Sequence, residues 1–184
     1  MQTDMPLKTL NTALLVIDAQ IGLARGAFRE AETITAINRV IAFCRRCQAP
    51  IFFVQHCHQS YAPLIKGNAG WALHPELDEH PDDVRIEKRA SDAFFETTLG
   101  SVLAAKDISH LYITGLQTEF CVDTTCRAAL SKGLSVTLVA DGHTTLGTAM
   151  PEAEVIAHHN AVLQNLAHPR LRIEVRASMD FANA

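Results

Sequence analysis

Short runs of consecutive apolar residues alternate along the chain with longer segments in which apolar side chains recur every three or four positions. Runs of the first kind are typical of strands buried on both faces of a parallel sheet, and segments of the second kind are typical of amphipathic helices. The pattern predicts strands at 12–17, 51–54, 84–87, 111–114, 136–140 and 172–176. It predicts helices at about 31–48, 97–105, 118–131 and 151–166.

The regular alternation of strand and helix predicts the fold class. It indicates one α/β domain over 1–184, doubly wound, with a six-stranded, mostly parallel sheet and helices on both faces in a Rossmann-like three-layer arrangement. One segment departs from the alternation, because 57–83 is polar and contains three prolines and two glycines. A loop of this length inside a compact domain is typically functional.

Composition and charge narrow the range of partners. The 184 residues are 48% hydrophobic and 20% charged, and the formal net charge is −4. A slightly acidic chain without a basic cluster argues against nucleic acid as a partner. No apolar run approaches the roughly 18–20 residues of a membrane span, and residues 1–8 lack the basic and apolar regions of a signal peptide. We therefore expect a cytoplasmic protein that binds neither nucleic acid nor membrane.

The cysteines do not form a disulfide framework, since their number is odd and no secretion signal is visible. They are Cys44, Cys47, Cys57, Cys121 and Cys126. Cys44 and Cys47 form a C-x-x-C pair that could serve redox chemistry or bind zinc. However, the pair lies near the end of a predicted helix, where Cys44 continues the apolar face, so packing is the favoured interpretation.

Polar residues at the carboxyl ends of the predicted strands are candidates for chemistry, because ligands of doubly wound folds bind at that edge of the sheet. These candidates are Asp18, His56, Lys88, residues 115–121 and Asp141. Asp18, Lys88 and Cys121 supply a carboxylate, an ammonium and a thiol, which together could form an activated cysteine nucleophile. With Thr118 as a helix N-cap, Cys121 lies in the first helical turn. The helix dipole and Lys88 are then expected to lower the pKa of its thiol.

Each of these three residues also has an ordinary structural interpretation, and spacing alone does not bring them together. The motifs around them, however, resemble those of the isochorismatase-like cysteine hydrolases, the superfamily of nicotinamidase and N-carbamoylsarcosine amidohydrolase. Residues 13–20 (ALLVIDAQ) resemble the first-strand motif, and Lys88 with 91–94 (SDAF) resembles the second motif. Residues 114–122 (TGLQTEFCV) resemble the nucleophile motif, and 139–142 (VADG) match the strand end that follows.

The resemblance implies that Cys121 is the nucleophile, Asp18 the general acid and base, and Lys88 the residue that holds the thiolate. It implies a cis peptide bond between Leu116 and Gln117, which helps to aim the N–H groups of Gln117 and Cys121 at an oxyanion. The implied reaction is hydrolysis of a C–N bond in a small amide or carbamoyl compound, without a cofactor, in a homodimer or larger homo-oligomer. Isochorismatases themselves cleave a vinyl ether without a cysteine nucleophile, so Cys121 favours amide hydrolysis.

The candidates for a substrate pocket combine strand ends, the long loop and the nucleophile motif. They are Gln20, His56, Trp71, Thr118 and Phe120. Trp71 has two equally weighted interpretations, since it could cover the substrate from the long loop or anchor that loop on the body of the protein or in a subunit interface.

Metal binding is the main open question from the sequence. Nicotinamidases of this family bind a divalent metal through an Asp-x-His pair after the second strand, where this chain has His56 and His58, with His74 and His80 further along the loop. A His-x-His pair can bind zinc, but nine histidines produce close pairs by chance, so a metal-free site is favoured. The alternatives are a metal-containing nicotinamidase, a non-catalytic small-molecule-binding module on the same fold, and a redox protein that uses the C-x-x-C pair.

Overall fold

The computed structural model describes residues 11–147 and 149–182. Residues 1–8, for which the sequence predicts no signal peptide, lie outside the described residues. Within the described ranges no helix is both long enough and apolar enough to cross a bilayer.

Six strands form a single sheet in which every neighbouring pair is parallel. The strands are β1 (Thr12–Ile17), β2 (Ile51–His56), β3 (Val84–Lys88), β4 (His110–Leu116), β5 (Ser135–Thr144) and β6 (Ile173–Arg176). Their order is β3-β2-β1-β4-β5-β6. The prediction of a six-stranded, doubly wound α/β fold is therefore confirmed.

The four predicted helices are present, with ends shifted by a few residues, and one short helix was not predicted. The helices are α1 (Ile21–Ala24), α2 (Glu30–Arg46), α3 (Leu99–Ala105), α4 (Asp123–Ser131) and α5 (Glu152–Gln164). The additional element is α1, because four residues are too few to show a helical period. The long loop contains two short 3-10 turns, Ala62–Leu64 and Ala69–Trp71.

The core lies on both faces of the sheet, because successive strand side chains point in opposite directions. From β1, Leu14 and Val16 join the hydrophobic cluster that includes α2, whereas Leu15 and Ile17 join the cluster that includes α3 and α4. All four side chains are fully buried. This two-sided burial explains why β1 is apolar at consecutive positions.

The strand order reverses beside β1, where ligands of doubly wound folds bind. The chain runs outward from β1 through β2 to β3 and then returns to place β4 on the other side of β1. At the carboxyl end of this pair Gly115 has φ +119°, and a Cβ there would overlap the backbone of Ile17. Glycine at position 115 therefore allows the close approach of β1 and β4 beside Asp18.

The end of β5 reaches further along the sheet than the sequence predicts. The register between β4 and β5 shifts after Ile113, and beyond the shift Gly115 is paired with His143. Such irregularities are common next to functional sites, where they redirect a strand. As a result β5 continues to Thr144 rather than ending near residue 140.

Candidate active site

The carboxyl end of β1 positions Asp18 in the crevice. The residue is fully buried, and its backbone has φ 49°, a left-handed conformation that aspartate adopts more readily than most residues. Its N–H donates to the carbonyl of Val54 at 2.8 Å, and its carbonyl accepts from the N–H of Gln20 at 2.7 Å. These two bonds fix the backbone from which the carboxylate projects.

Lys88, the last residue of β3, brings a buried ammonium to the same point. Lysine is rarely buried, yet Lys88 is 1% exposed. Its Nζ lies 2.7 Å from Oδ2 of Asp18 and 3.1 Å from Sγ of Cys121. It also lies 3.1 Å from Nδ1 of His56 and donates to the carbonyl of Ala90 at 3.0 Å. The structure thus brings the carboxylate, the ammonium and the thiol into one cluster.

The Asp18 carboxylate has spare hydrogen-bonding capacity. Among the described residues, neither of its oxygens has a hydrogen bond of standard geometry, and the ion pair with Lys88 is what compensates its burial. One carboxylate oxygen of Asp18, a ring nitrogen of His56 and Sγ of Cys121 lie within 4.8 Å of one another. A buried carboxylate with free lone pairs beside a thiol can accept the proton of that thiol.

Cys121 lies in a π-helical turn, Thr118–Val122, which precedes α4. The prediction that Thr118 is an N-cap is wrong, because no side chain caps this turn. Thr118 Oγ1 instead lies 2.8 Å from Nδ1 of His143. π-helical turns often occur at functional sites, and a spacing of apolar residues does not distinguish such a turn from the start of an α-helix.

The environment of Cys121 keeps its thiol protonated in the free protein. Burial and the charge of Asp18 raise the pKa of Cys121 to about 12, against the opposing effect of Lys88. The prediction of a lowered pKa at Cys121 is therefore wrong, since the sequence could not show how deeply the thiol is buried. For Lys88, burial lowers the pKa, but the charge of Asp18 and the hydrogen-bond contacts with Asp18 and Cys121 outweigh it and the pKa is raised. The free site therefore contains a neutral thiol beside an ammonium.

His56, the last residue of β2, faces this ammonium as a neutral imidazole. Burial and the nearby charge of Lys88 lower the pKa of His56, and Asp18 offsets only part of this effect. Because Nδ1 accepts a hydrogen bond from Lys88, the ring proton of the neutral imidazole resides on Nε2. His56 therefore presents a donor on the side of the ring away from Lys88.

The residues of the cluster do not fit a metal ion. Metal ligands require free lone pairs directed at one point, but the Lys88 ammonium already lies within 3.1 Å of Asp18, His56 and Cys121. A divalent cation among these three ligands would lie against that positive charge.

The histidines of the long loop are engaged elsewhere. His58 Nδ1 accepts from the N–H groups of Ser60 (3.1 Å) and Tyr61 (2.8 Å). His74 Nε2 lies 3.2 Å from Glu30, and His80 pairs with Asp82 at the surface. The four-histidine set suggested by the sequence is therefore not assembled.

Gln20 and Trp71 hold the long loop against the sheet rather than lining the cavity beside Cys121. Gln20 is fully buried; its Nε2 donates to the carbonyls of His56 (3.2 Å) and Trp71 (2.8 Å), and its Oε1 accepts from the N–H of His56 (2.8 Å). The indole N–H of Trp71 donates to Sγ of Cys57 at 3.2 Å. Of the two interpretations of Trp71, the structure agrees with loop anchoring.

A cavity of about 440 Å³ opens beside Cys121. The described residues that line it are Leu23, His56, His58, Tyr61, Leu64, Ser91, Gln117, Phe120 and Cys121. His56, Gln117 and Phe120 are among the sequence candidates, whereas Thr118 is buried behind the turn. The loop residues His58 and Tyr61 were missed as pocket residues, since only the length of the loop, and no motif, pointed to them.

The peptide bond between Leu116 and Gln117 is cis, as the resemblance implies. It links the end of β4 to the π-helical turn, and the carbonyl of Gln117 accepts from the N–H groups of Phe120 and Val122, both at 3.2 Å. Gln117 and Cys121 both line the cavity.

The C-x-x-C pair does not have the properties of a redox centre. Burial, with a smaller contribution from Cys47, raises the pKa of Cys44 to about 12, whereas redox-active cysteines have lowered pKa values. Cys44 is fully buried among the apolar side chains of α2. Packing is therefore the interpretation that the structure supports.

Sequence and structure comparisons agree on the relationship of this chain to known proteins. The isochorismatase domain family matches residues 12–169. Streptothricin hydrolase of Streptomyces noursei is 32% identical over 136 residues, which are 72% of this chain and 49% of that protein. Nicotinamidase 3 of Arabidopsis thaliana is 28% identical over 170 residues, 84% of this chain and 80% of that protein.

Among solved structures, an isochorismatase from Pseudomonas putida is similar to this chain with a TM-score of 0.82 and 27% sequence identity. The superposition covers 96% of this chain and 92% of the Pseudomonas chain. The chain spans about half the length of the streptothricin hydrolases that it matches. The family match nevertheless extends over most of the chain and includes the first five of the six strands. The chain therefore belongs to the isochorismatase family.

Proposed function

We propose that the protein is a cysteine hydrolase that cleaves a C–N bond of a small amide or carbamoyl compound through an acyl-enzyme on Cys121. The observation that carries this proposal is the position of Lys88 Nζ, 2.7 Å from Asp18 Oδ2 and 3.1 Å from Sγ of Cys121, which lines the cavity. A buried ion pair contributes little net stability. Its placement against a thiol therefore favours a chemical role.

In the first half of the reaction, Cys121 gives its proton to the Asp18 carboxylate as Sγ attacks the substrate carbonyl carbon. The Lys88 ammonium stabilises the negative charge that develops on sulfur. A C–S bond forms and the carbonyl oxygen becomes an oxyanion. When the oxyanion collapses, the C–N bond breaks, Asp18 returns the proton to the leaving nitrogen, and ammonia or an amine departs.

In the second half, water hydrolyses the acyl-enzyme. Asp18 takes a proton from the water as its oxygen attacks the acyl carbon, the C–S bond breaks, and the proton returns to the sulfur of Cys121. We assign the oxyanion of both steps to the backbone N–H groups of Gln117 and Cys121, because both residues line the cavity. In enzymes with such a site, removal of one oxyanion donor typically costs roughly 3–4 kcal/mol of transition-state stabilisation.

The walls of the cavity favour an uncharged substrate. None of the described residues that line it carries a lysine, arginine, aspartate or glutamate side chain. The ring of His58 stacks on that of His56, with centroids 6.2 Å apart, and meets Tyr61 edge to face. A carboxylate entering this cavity would lose its hydration without a cationic side chain in the cavity wall to pair with, whereas a flat neutral amide would pack against these rings.

A metal-containing nicotinamidase is the second candidate, favoured by the similarity to the Arabidopsis nicotinamidase. The position of Lys88 among the three ligand atoms favours the metal-free mechanism instead. The two candidates differ in whether a chelator removes the activity.

The experiment is ammonia release from a panel of small amides and carbamoyl compounds, with and without a chelator. The panel contains nicotinamide as a neutral aromatic amide, and ureido acids, maleamate and oxamate as anionic compounds. Cys121→Ser is the test variant. Cys126→Ser is the matched control, because Cys126 is a fully buried thiol of the core.

We expect release that Cys121→Ser abolishes, that Cys126→Ser largely retains and that a chelator does not change, with neutral amides hydrolysed better than anionic ones. Release that survives Cys121→Ser would refute the acyl-enzyme. Release lost on chelation would support the metal-containing alternative, and no release from any compound would favour the non-catalytic binding module.

A further inference from the structure

A continuous chain of hydrogen bonds runs from the π-helical turn of Cys121 to α5. Thr118 Oγ1 lies 2.8 Å from Nδ1 of His143, and Nε2 of His143 lies 3.0 Å from Oδ1 of Asn160. Asn160 Nδ2 then donates to the carbonyl of Ala140 on β5 at 3.2 Å. The catalytic steps proposed above use none of these side chains.

The hydrogen bonds of this chain all run in one direction from donor to acceptor. Because the amide N–H of Asn160 is directed to Ala140, its Oδ1 faces His143 and accepts from Nε2–H. A neutral imidazole protonated on Nε2 has its lone pair on Nδ1, which accepts from the hydroxyl of Thr118. Burial keeps this ring neutral near pH 7, with the pKa of His143 lowered to about 4. The hydroxyl of Thr118 therefore has a single orientation.

We propose that His143 and Asn160 are positioning residues which hold the turn of Cys121 through the hydroxyl of Thr118 and thereby set the direction of its Sγ. The proposal rests on the proposed function of Cys121 as the nucleophile. It assigns no chemical step to Thr118, His143 or Asn160.

The local structure supports the positioning role of this hydrogen-bond chain. Thr118 begins the turn three residues before Cys121, and the turn has no side-chain cap of its own. The register shift in β5 brings His143 opposite Gly115, just before the turn. A second bond, from Thr145 Oγ1 to Glu119 Oε1 at 2.8 Å, joins the same two segments. The end of β5 is thus attached to the turn at two points.

The position of a nucleophile is sensitive to such support, since a displacement of about 1 Å can cost about 100-fold in rate. The N-terminal turn of a helix is usually held by a capping side chain. Here the first side chain of the turn is directed away from the helix, to a histidine on a neighbouring strand. Removal of any link in the chain is therefore expected to loosen the same turn.

The test uses iodoacetamide as a probe, because its reaction with Cys121 needs no knowledge of the substrate. Sγ displaces iodide from the reagent, and the thiol proton is lost. The rate is measured at each cysteine by site-resolved mass spectrometry, with the partly exposed Cys57 as a reference outside the hydrogen-bond chain. The variants are Thr118→Val, Thr118→Ser, Asn160→Leu and the double variant Thr118→Val/Asn160→Leu.

The protein offers a matched control for the loss of a buried His–Thr bond. His110 Nε2 and Thr137 Oγ1 are 2.8 Å apart, in the same pair of strands as His143 but before the register shift. Thr137→Val removes this bond without touching the turn. Any general loosening of the sheet would appear in this variant as well.

We expect Thr118→Val and Asn160→Leu each to slow alkylation of Cys121 about 10-fold or more, while the rate at Cys57 is unchanged. Thr118→Ser, which keeps the hydroxyl, should stay within about twofold of the wild type. The double variant should be no slower than the slower single variant, because both substitutions break one chain.

Unchanged rates in both single variants would overturn the proposal, as would an equal loss in Thr137→Val or additive effects in the double variant. If Thr118→Val fails to fold, Asn160→Leu on the partly exposed α5 still decides the question. Failure of the proposed function is recognised separately, because it would appear as hydrolysis that survives Cys121→Ser, whereas the alkylation rates of the turn variants are measured without any substrate.

Discussion

Oδ2 of Asp18 and Nζ of Lys88 lie 2.7 Å apart, and both side chains are completely shielded from solvent. Asp18 directly follows β1 and Lys88 ends β3, with β2 between these two strands. Removing two charges from water costs several kcal/mol for each ion, which their attraction repays only in part. The pair therefore makes each charge dependent on the other, and in the mechanism that we propose both charges act on Cys121.

Loss of one partner should destabilise the protein more than loss of both. Lys88→Met leaves the Asp18 carboxylate buried without a counterion, and we expect it to lower the free energy of unfolding by about 3–5 kcal/mol. In the double variant Asp18→Asn/Lys88→Met no charge remains, so most of this loss should be recovered. Urea denaturation at pH 7 measures both effects. Equal stability of the two variants would contradict the interpretation that each charge of the pair depends on the other.

Activity should not follow stability in these variants. Under the proposed mechanism, Asp18→Asn removes the proton acceptor and Lys88→Ala removes the charge beside sulfur, so each should lower the hydrolysis rate by several orders of magnitude. The double variant Asp18→Asn/Lys88→Met should stay inactive although its stability recovers. A variant with an unchanged rate would remove that residue from the mechanism.

The reactivity of Cys121 should rise steadily with pH in the absence of substrate. Its pKa is raised to about 12 by burial and by Asp18, so the thiolate fraction keeps increasing between pH 7 and 9. Lys88→Met removes the charge that opposes this shift, and should slow alkylation further at each pH. The measurement is the rate of iodoacetamide modification at Cys121. A plateau below pH 8 would indicate the acidic thiol that the sequence alone suggested.

The proximity of Asp18, Lys88 and Cys121 could be predicted from the sequence with a general rule for parallel sheets. All three lie at or just after the carboxyl ends of predicted strands, and such ends lie on one edge of a parallel sheet. The order of the strands need not be known for this inference. For the same reason His56, which ends β2, could be placed at the site from the sequence.

Other features depend on three-dimensional context that a one-dimensional pattern lacks. A π-helical turn and an α-helical first turn have nearly the same apolar spacing, so Thr118 resembled an N-cap. The register shift that brings His143 beside the turn arises from the pairing of β4 with β5. The pKa of Cys121 depends on burial by groups distant in sequence, and residue types alone suggested the opposite direction.

Gly115 should be intolerant of any side chain. A Cβ at this position would overlap the backbone of Ile17, and the φ of +119° is unfavourable for other residues. We expect Gly115→Ala to destabilise the protein by roughly 3 kcal/mol or more, and to displace the strand end that carries Asp18. Gly133 is the matched control, since its φ is +86° but a Cβ there would have no atom within 4 Å.

Gly133→Ala should therefore cost only about 1 kcal/mol, from backbone conformation alone. Thermal and urea denaturation of both variants, with the hydrolysis rate at a temperature where both are folded, separate the two effects. Equal costs for the two substitutions would show that β1 and β4 can separate to admit a methyl group.

His143 should make the stability of the protein depend on pH below neutrality. Burial lowers its pKa from 6.5 to about 4 in the folded protein. Above pH 6.5 the ring is neutral in both states and stability is complete; as the pH falls towards 4, only the unfolded chain binds a proton. The free energy of unfolding should thus fall by up to about 3 kcal/mol from this residue. Urea denaturation at pH 7, 5.5 and 4.5 should show a shallower decline in His143→Gln, and an identical decline would assign the effect to other histidines.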